Sequence, residues 1–255
     1  MKSIWIIAKN TFREIIRDRI LYGILVFALF LIGISLVLGQ LSFDEQARIS
    51  INFGFAGIQI SAAVVSIFIG SSLVAKEIEK QTILTLLARP ISRAQFICGK
   101  FLGLTLVVTV ISAGLAAVLL ILAFYLNISI TASFFIAIFG VLLEALVLLA
   151  IALFFGSFSR PIMTVMFSVS LFLLGHWVDS LPYFIAKSHS ESFKILAKLV
   201  TKVIPNLEMF NWRTAPIYGE TIPLTDVALA SAYSAGWVIF LFILTSIIFR
   251  RRDFV

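Results

Sequence analysis

The sequence predicts an all-α membrane protein of six transmembrane helices, with both termini on the cytoplasmic side. Three observations carry that expectation. The first is composition: 61% of the 255 residues are hydrophobic and 13% are charged, with a mean hydropathy of +1.10. A chain this apolar lacks the polar side chains to cover a water-facing surface, so lipid is the expected solvent. The second is segmentation. Six stretches approach the roughly 20 apolar residues that a spanning helix needs: Ile20–Leu38, Phe55–Ala75, Phe101–Leu126, Phe134–Phe155, Ile162–Val178 and Val227–Phe249. The third is charge: most of the 20 Lys and Arg residues fall on one side of those spans. That side holds the N-terminal segment, the connection between spans two and three, Arg160, and Arg250–Arg252. The positive-inside rule places it in the cytoplasm.

The stretches are too long and too uniformly apolar for membrane β-strands, and backbone groups in lipid are satisfied within a helix. Glu14 and Asp18 precede the first stretch and no small-residue cleavage site follows it, so it reads as a retained span rather than a signal peptide. Ahead of it, residues 1–19 form an amphipathic interfacial helix. Ile4, Trp5, Ala8, Phe12, Ile15 and Ile16 share one face, and Lys2, Lys9, Asn10, Arg13, Glu14 and Arg17 take the other. That helix reads as a membrane anchor, or as an anchor whose polar face also touches a cytoplasmic partner.

Span two is rich in small residues, with Ser66-x-x-x-Gly70 in the pattern that lets membrane helices approach closely. Packing accounts for most of them. Gln59, Ser61 and Ser66 could instead line a translocation path. The segment from Lys76 to Lys100 is the most informative. A helix from about Lys76 to Ala88 is ended by Pro90, and Ser92 with Gln95 then reads as a capping box opening span three. The result is a rigid cytoplasmic knob. Span three carries Gly99-x-x-x-Gly103, a second close-packing signature. A tight turn near Asn127–Thr131 leads to span four, and Glu144 falls near its middle. A carboxylate there costs several kcal/mol unless protonated, paired or facing water. It reads as a substrate or proton contact, or as a hydrogen bond across the bundle. His176 in span five is expected nearer the external surface, out of register with Glu144.

Residues 179–228 form one long extracytoplasmic loop. Its stretch from Glu191 to Ile204 is amphipathic, with Ser188 and Glu191 as the expected capping box. The irregular run PNLEMFNWRTAPIYGETIP is expected to fold over the mouth of the bundle, with Trp177, Trp212 and Tyr218 in an interfacial belt.

Several chemistries are not written in the sequence. There is no Gly-x-x-x-x-Gly-Lys-Ser/Thr phosphate loop, and two His with one Cys do not make a zinc site. No Ser has a His or Lys partner at matching depth. Cys98 cannot form an internal disulfide and reads as a small apolar filler. The net charge of +7 follows from topology, and no folded basic domain is present for nucleic acid. No catalytic or metal-ligating residue is therefore assigned.

The chain resembles the permease subunits of type-two, exporter-class ABC transporters along its whole length. The residues that carry the likeness are IAKNTFREIIRDRILYGILVF, KEIEKQTILTLLARPISRAQFICGKFLG, PNLEMFNWR and the closing RRRDF. It most resembles the branch containing the permeases of nitrous-oxide-reductase copper-site maturation and of gliding motility. The resemblance implies one transmembrane domain over 1–255, an elbow helix over 1–19 and a coupling helix within 76–100. It implies that Glu77, Glu79, Lys80, Gln81, Thr82 and Leu86 form or brace the contact with an ATPase subunit. Arg89, Pro90, Ser92 and Arg93 would continue that contact, with Arg160 at a second, smaller one. Many relatives have Gly near Gln81, so this helix departs from their local pattern.

By the same resemblance, two ATPase subunits would bind ATP and Mg, and this chain would hold no cofactor. The other expected partners are a second permease copy (as homodimer or heterodimer), membrane lipid and, as an open further partner, an accessory extracytoplasmic protein. The setting is a bacterial or archaeal plasma membrane. Two other readings compete: a secondary transporter or channel with Glu144 as an ion or proton relay, and an intramembrane enzyme. Inverted repeats would favour the first of these, and none is evident. The second needs a cluster of convergent polar groups, which the spans are not expected to supply.

Overall fold

In the computed structural model, residues 2–40, 45–79 and 93–251 are described. Ten α-helices are found among them: α1 (Lys2–Ile16), α2 (Arg19–Gln40), α3 (Gln46–Glu79), α4 (Arg93–Tyr125), α5 (Ala132–Gly156), α6 (Pro161–Trp177), α7 (Leu181–Lys187), α8 (Glu191–Val203), α9 (Ala215–Tyr218) and α10 (Leu224–Arg251). No strand occurs among the described residues. Six helical segments are long and apolar enough to cross a membrane: Leu21–Gln40, Gln46–Ser72, Gln95–Tyr125, Ala132–Gly156, Pro161–Lys187 and Leu224–Ile248. The all-α, six-span architecture read from the sequence is the observed one.

The bundle has two ends. One carries α1, the last turn of α3, the first turn of α4 and Arg160, and is called here the linker end. The other carries residues 178–223 and is called the loop end. α3 and α5 run side by side at the centre, and most of their apolar windows are buried. Gly70 makes that approach possible, because a Cβ there would lie 2.7 Å from the Ala152 side chain. α2 packs on α3, α4 closes one side, and α6 and α10 lie against α5. One apolar core joins α2, α3, α4 and α5, including the tilted Phe55–Phe134 ring pair at 4.9 Å. A second core joins α3, α5, α10 and the loop residues Leu207 and Phe210. The outward faces of α2, α6 and α10 remain exposed and apolar, as lipid-facing helices require.

Local boundaries differ from the sequence reading in instructive ways. α3 starts at Gln46 rather than near Phe55, because Ile51 and Ser50 are already buried at that end. With 34 residues it spans about 51 Å at about 1.5 Å per residue, well beyond a hydrocarbon core about 30 Å thick. Lys76–Glu79 therefore continue α3 without a break, and Arg93–Lys100 open α4. The interfacial helix stops at Ile16 instead of Arg19. Asp18 N–H bonds to the Ile15 carbonyl at 2.8 Å, and the chain turns into α2. Its buried face is Ile7, Ala8, Thr11 and Ile15, while Trp5 and Ile6 on its other flank stay exposed. The expected capping box at Ser188 is also displaced. Ser190 caps α8 by accepting from Phe193 N–H at 3.4 Å, while Ser188 Oγ accepts from Ser190 N–H at 3.2 Å. A serine directly before the first helical residue has the reach that a serine three positions earlier lacks.

Candidate functional site

The chemistry-bearing residues of the bundle meet at one place. Gln59 is midway along the apolar window of α3, Glu144 is midway along α5, and His176 ends α6. Gln59 is 6% exposed and Glu144 is 1% exposed. The Gln59 amide donates to Glu144 Oε2 at 2.7 Å, and the same nitrogen lies 3.1 Å from His176 Nε2. His176 Nδ1 lies 3.0 Å from the Phe172 carbonyl. A carbonyl only accepts, so Nδ1 carries the hydrogen and Nε2 accepts the second amide hydrogen of Gln59. Glu144 Oε1 lies 3.6 Å from that imidazole nitrogen and has no hydrogen-bond partner among the described residues.

His176 is thus in register with Glu144, contrary to the sequence reading. The reason is that the apolar helical span does not end at Val178: it runs from Pro161 to Lys187, so position 176 falls near its middle. At Trp177 α6 gives way to a 3-10 turn over Val178–Ser180, and the helix resumes as α7. A span ending at Val178 would have put position 176 at the surface. The remaining path candidates separate. Ser61 Oγ donates to the Gly57 carbonyl of its own helix at 2.6 Å, a packing role. Ser66 Oγ is fully buried and has no hydrogen-bond partner among the described residues.

Over the joint sits the run PNLEMFNWR, which enters the bundle from the loop end. Leu207 N–H bonds to the Gly175 carbonyl at 3.1 Å, and Asn206 N–H bonds to Tyr233 Oη of α10 at 2.8 Å. Two glycines make room for it. A Cβ at Gly140 would stand 2.4 Å from the Phe210 carbonyl oxygen, and one at Gly175 would stand 2.7 Å from the Leu207 side chain. Leu207 and Phe210 are buried as a result. Within the run, Asn206 Oδ1 accepts from Glu208 N–H and Asn211 donates to Glu208 Oε1 at 2.7 Å. Beside it, Ser234 Oγ of α10 donates to the Leu143 carbonyl at 3.2 Å. The segment is a wedge, held on three spans directly above Glu144. Sequence reasoning placed it over the mouth without this insertion. Gly140 and Gly175 were the available signal.

At the linker end α1 is seated on α4. A Cβ at Gly99 would lie 2.7 Å from the Ile7 side chain, and one at Gly103 would lie 2.6 Å from the Ala8 carbonyl oxygen. The Gly99-x-x-x-Gly103 pair therefore admits the interfacial helix rather than another span. Glu14 Oε2 lies 3.7 Å from Lys100 Nζ across the same contact. Glu77 and Glu79 are in the last turn of α3, and Arg93 begins α4. Lys80, Gln81, Thr82, Leu86, Arg89, Pro90 and Ser92 lie outside the described residues. Arg160 is exposed before Pro161 at the start of α6, where its carbonyl accepts from Thr164 Oγ1 at 3.1 Å.

Among the described residues, no group of three His, Cys, Asp or Glu side chains is placed to hold a metal ion. Compared with known families, residues 5–254 match the family described as ABC-2 family transporter protein. No curated protein matches the chain.

Proposed function

The chain belongs to the ABC-2 transporter family, as a membrane permease component of an ABC transporter, and on that premise we propose how it is powered. Separate ATPase subunits, which bind ATP and Mg, dock on the segment 76–100 at the linker end. Glu77, Glu79, Lys80, Gln81, Thr82 and Leu86 meet them, continued by Arg89, Pro90, Ser92 and Arg93. Arg160 provides a second, smaller contact. The linker end is cytoplasmic, as its excess of Lys and Arg favours. Two permease copies and two ATPases make the complex, in a bacterial or archaeal plasma membrane. Within the family, the wedge sequence PNLEMFNWR and the linker motif favour the copper-enzyme-maturation and gliding-motility branch.

The observation that carries this reading is the family match across 5–254. The geometry supplies a mechanism consistent with it. α3 and α4 run unbroken from the linker end through the bundle, and α1 braces α4 at Gly99 and Gly103. A push on the segment between α3 and α4 therefore moves two long helices as levers. α3 carries Gln59, so its displacement acts on the joint with Glu144 and His176 and on the wedge above it. His176 Nε2 lies 3.1 Å from the Gln59 amide and 3.6 Å from Glu144 Oε1, so a small shift of α3 against α6 changes what it faces. Opening of α6 from α3 exposes Gln59, Glu144 and Ser66 to a path through the bundle. In a purely mechanical role the same motion is delivered to a partner at the loop end.

Co-purification tests the docking. A co-expressed partner ABC ATPase should be retained on the tagged permease and lost with Glu79→Lys or Arg93→Glu, while the permease still extracts as a folded species. Failure of any ATPase to associate with the wild-type chain overturns the proposal. A secondary transporter or channel with Glu144 as relay is the second reading, favoured by the buried Gln59–Glu144–His176 cluster. Proton-driven flux from liposomes holding the chain alone, without ATP, would establish it.

A further inference from the structure

Between the α1–α2 corner and the start of α6 lies a partly open cavity of about 340 Å³, within the roughly 300–1,000 Å³ range of ligand pockets. Its interior is apolar, with Leu21 from α2, Phe68 and Ile69 from α3, and Ile162, Val165 and Met166 from α6. Its polar lining is concentrated where α1 meets α2 and α4: Glu14, Asp18 and Lys100. Lys100 is largely buried and Glu14 is half-exposed, and their charged atoms are 3.7 Å apart. Arg17 and Arg19 flank Asp18 in sequence, and Arg160 directly precedes the lining residue Pro161. The site therefore has an apolar shaft, with two carboxylates and an ammonium at its head.

From this arrangement we propose that the cavity binds a membrane phospholipid whose headgroup carries a primary ammonium next to a phosphate. One acyl chain enters between Phe68 and Val165. The ammonium donates to the carboxylates of Glu14 and Asp18, and the phosphate faces Lys100. A headgroup of single negative charge, such as glycerol phosphate, offers the carboxylates only neutral hydroxyl donors and no cation. A quaternary ammonium has no hydrogen to donate, so it forfeits the charge-assisted bonds. The apolar shaft is continuous with the lipid-facing sides of α2 and α6, which gives the acyl chain a lateral way in. The site is built from the corner that holds α1 in place and from the start of α6. An occupying lipid thus links the interfacial helix to the span that carries His176.

The proposal does not depend on an ATPase, and its test uses the full chain alone in nanodiscs. Phosphatidylethanolamine, phosphatidylcholine and phosphatidylglycerol, each bearing the same diazirine acyl chain, are photolysed in separate samples. The labelled peptides are then mapped by mass spectrometry. Peptides containing Phe68–Ser72 and Ile162–Met166 should be labelled several-fold more by phosphatidylethanolamine than by the other two. Glu14→Gln combined with Asp18→Asn should erase that preference, and Val165→Trp should lower labelling by all three lipids. Equal labelling of the wild type by the three lipids, or a preference that survives the Glu14→Gln, Asp18→Asn pair, would overturn it.

Discussion

Gln59 does two jobs with one amide. It gives one hydrogen to Glu144 Oε2 and presents the other to His176 Nε2, so three spans share a single polar centre. Hydrogen bonds between membrane helices are individually modest, about 0.6 kcal/mol on average with a maximum near 1.7. A double-mutant cycle of Gln59→Leu and Glu144→Leu, read by denaturant unfolding in micelles, should therefore give a coupling of about 0.5–1.5 kcal/mol. Additive single effects would mean that the two side chains do not act as a pair. Glu144 was visible in the sequence as a costly mid-span carboxylate, but its partners were not. Pairing across helices depends on axial register, and the continuation of the fifth span to Lys187, which puts His176 level with Glu144, is hidden in the sequence by Asp179 and Pro182.

Two packed segments decide whether motion at one end reaches the other. α1 rests on α4 through Gly99 and Gly103, with no room for a side chain at either position. Gly103→Val should push α1 off and cost about 1–3 kcal/mol of stability, the range for overpacking a filled interface. Faster hydrogen exchange of the α1 amides, with α4 itself still protected, would register the loss. The wedge at the loop end depends in the same way on Gly140. Gly140→Val should raise exchange across residues 205–213 while leaving the Gln59–Glu144 contact in place. Unchanged exchange there would mean that the segment is held by other contacts. The glycines were readable as close-packing signals, but not their partners. Gly99-x-x-x-Gly103 looks the same whether it admits a span or an interfacial helix, because the pattern specifies a surface without a depth.

The six-helix architecture was legible because lipid imposes long apolar runs and leaves few alternatives. Family membership was legible from the opening segment, the linker and the PNLEMFNWR run, and residues 5–254 match the ABC-2 family. What the spans hold between them was far less so, since a buried serine on its own helix carbonyl and one aimed across the bundle read alike. Ser61 proved to be the former. Together the described parts are two long helices that reach the linker end, a polar joint at mid-bundle and a wedge above it. The central claim is that an ATPase at the linker end drives them. The most direct measurement is ATP hydrolysis in proteoliposomes containing the permease, its partner ABC ATPase, or both. Vanadate-sensitive turnover should be several-fold higher with both than with the ATPase alone, and should fall back with Arg93→Glu. Turnover by the ATPase that is indifferent to the permease and to that substitution would contradict it.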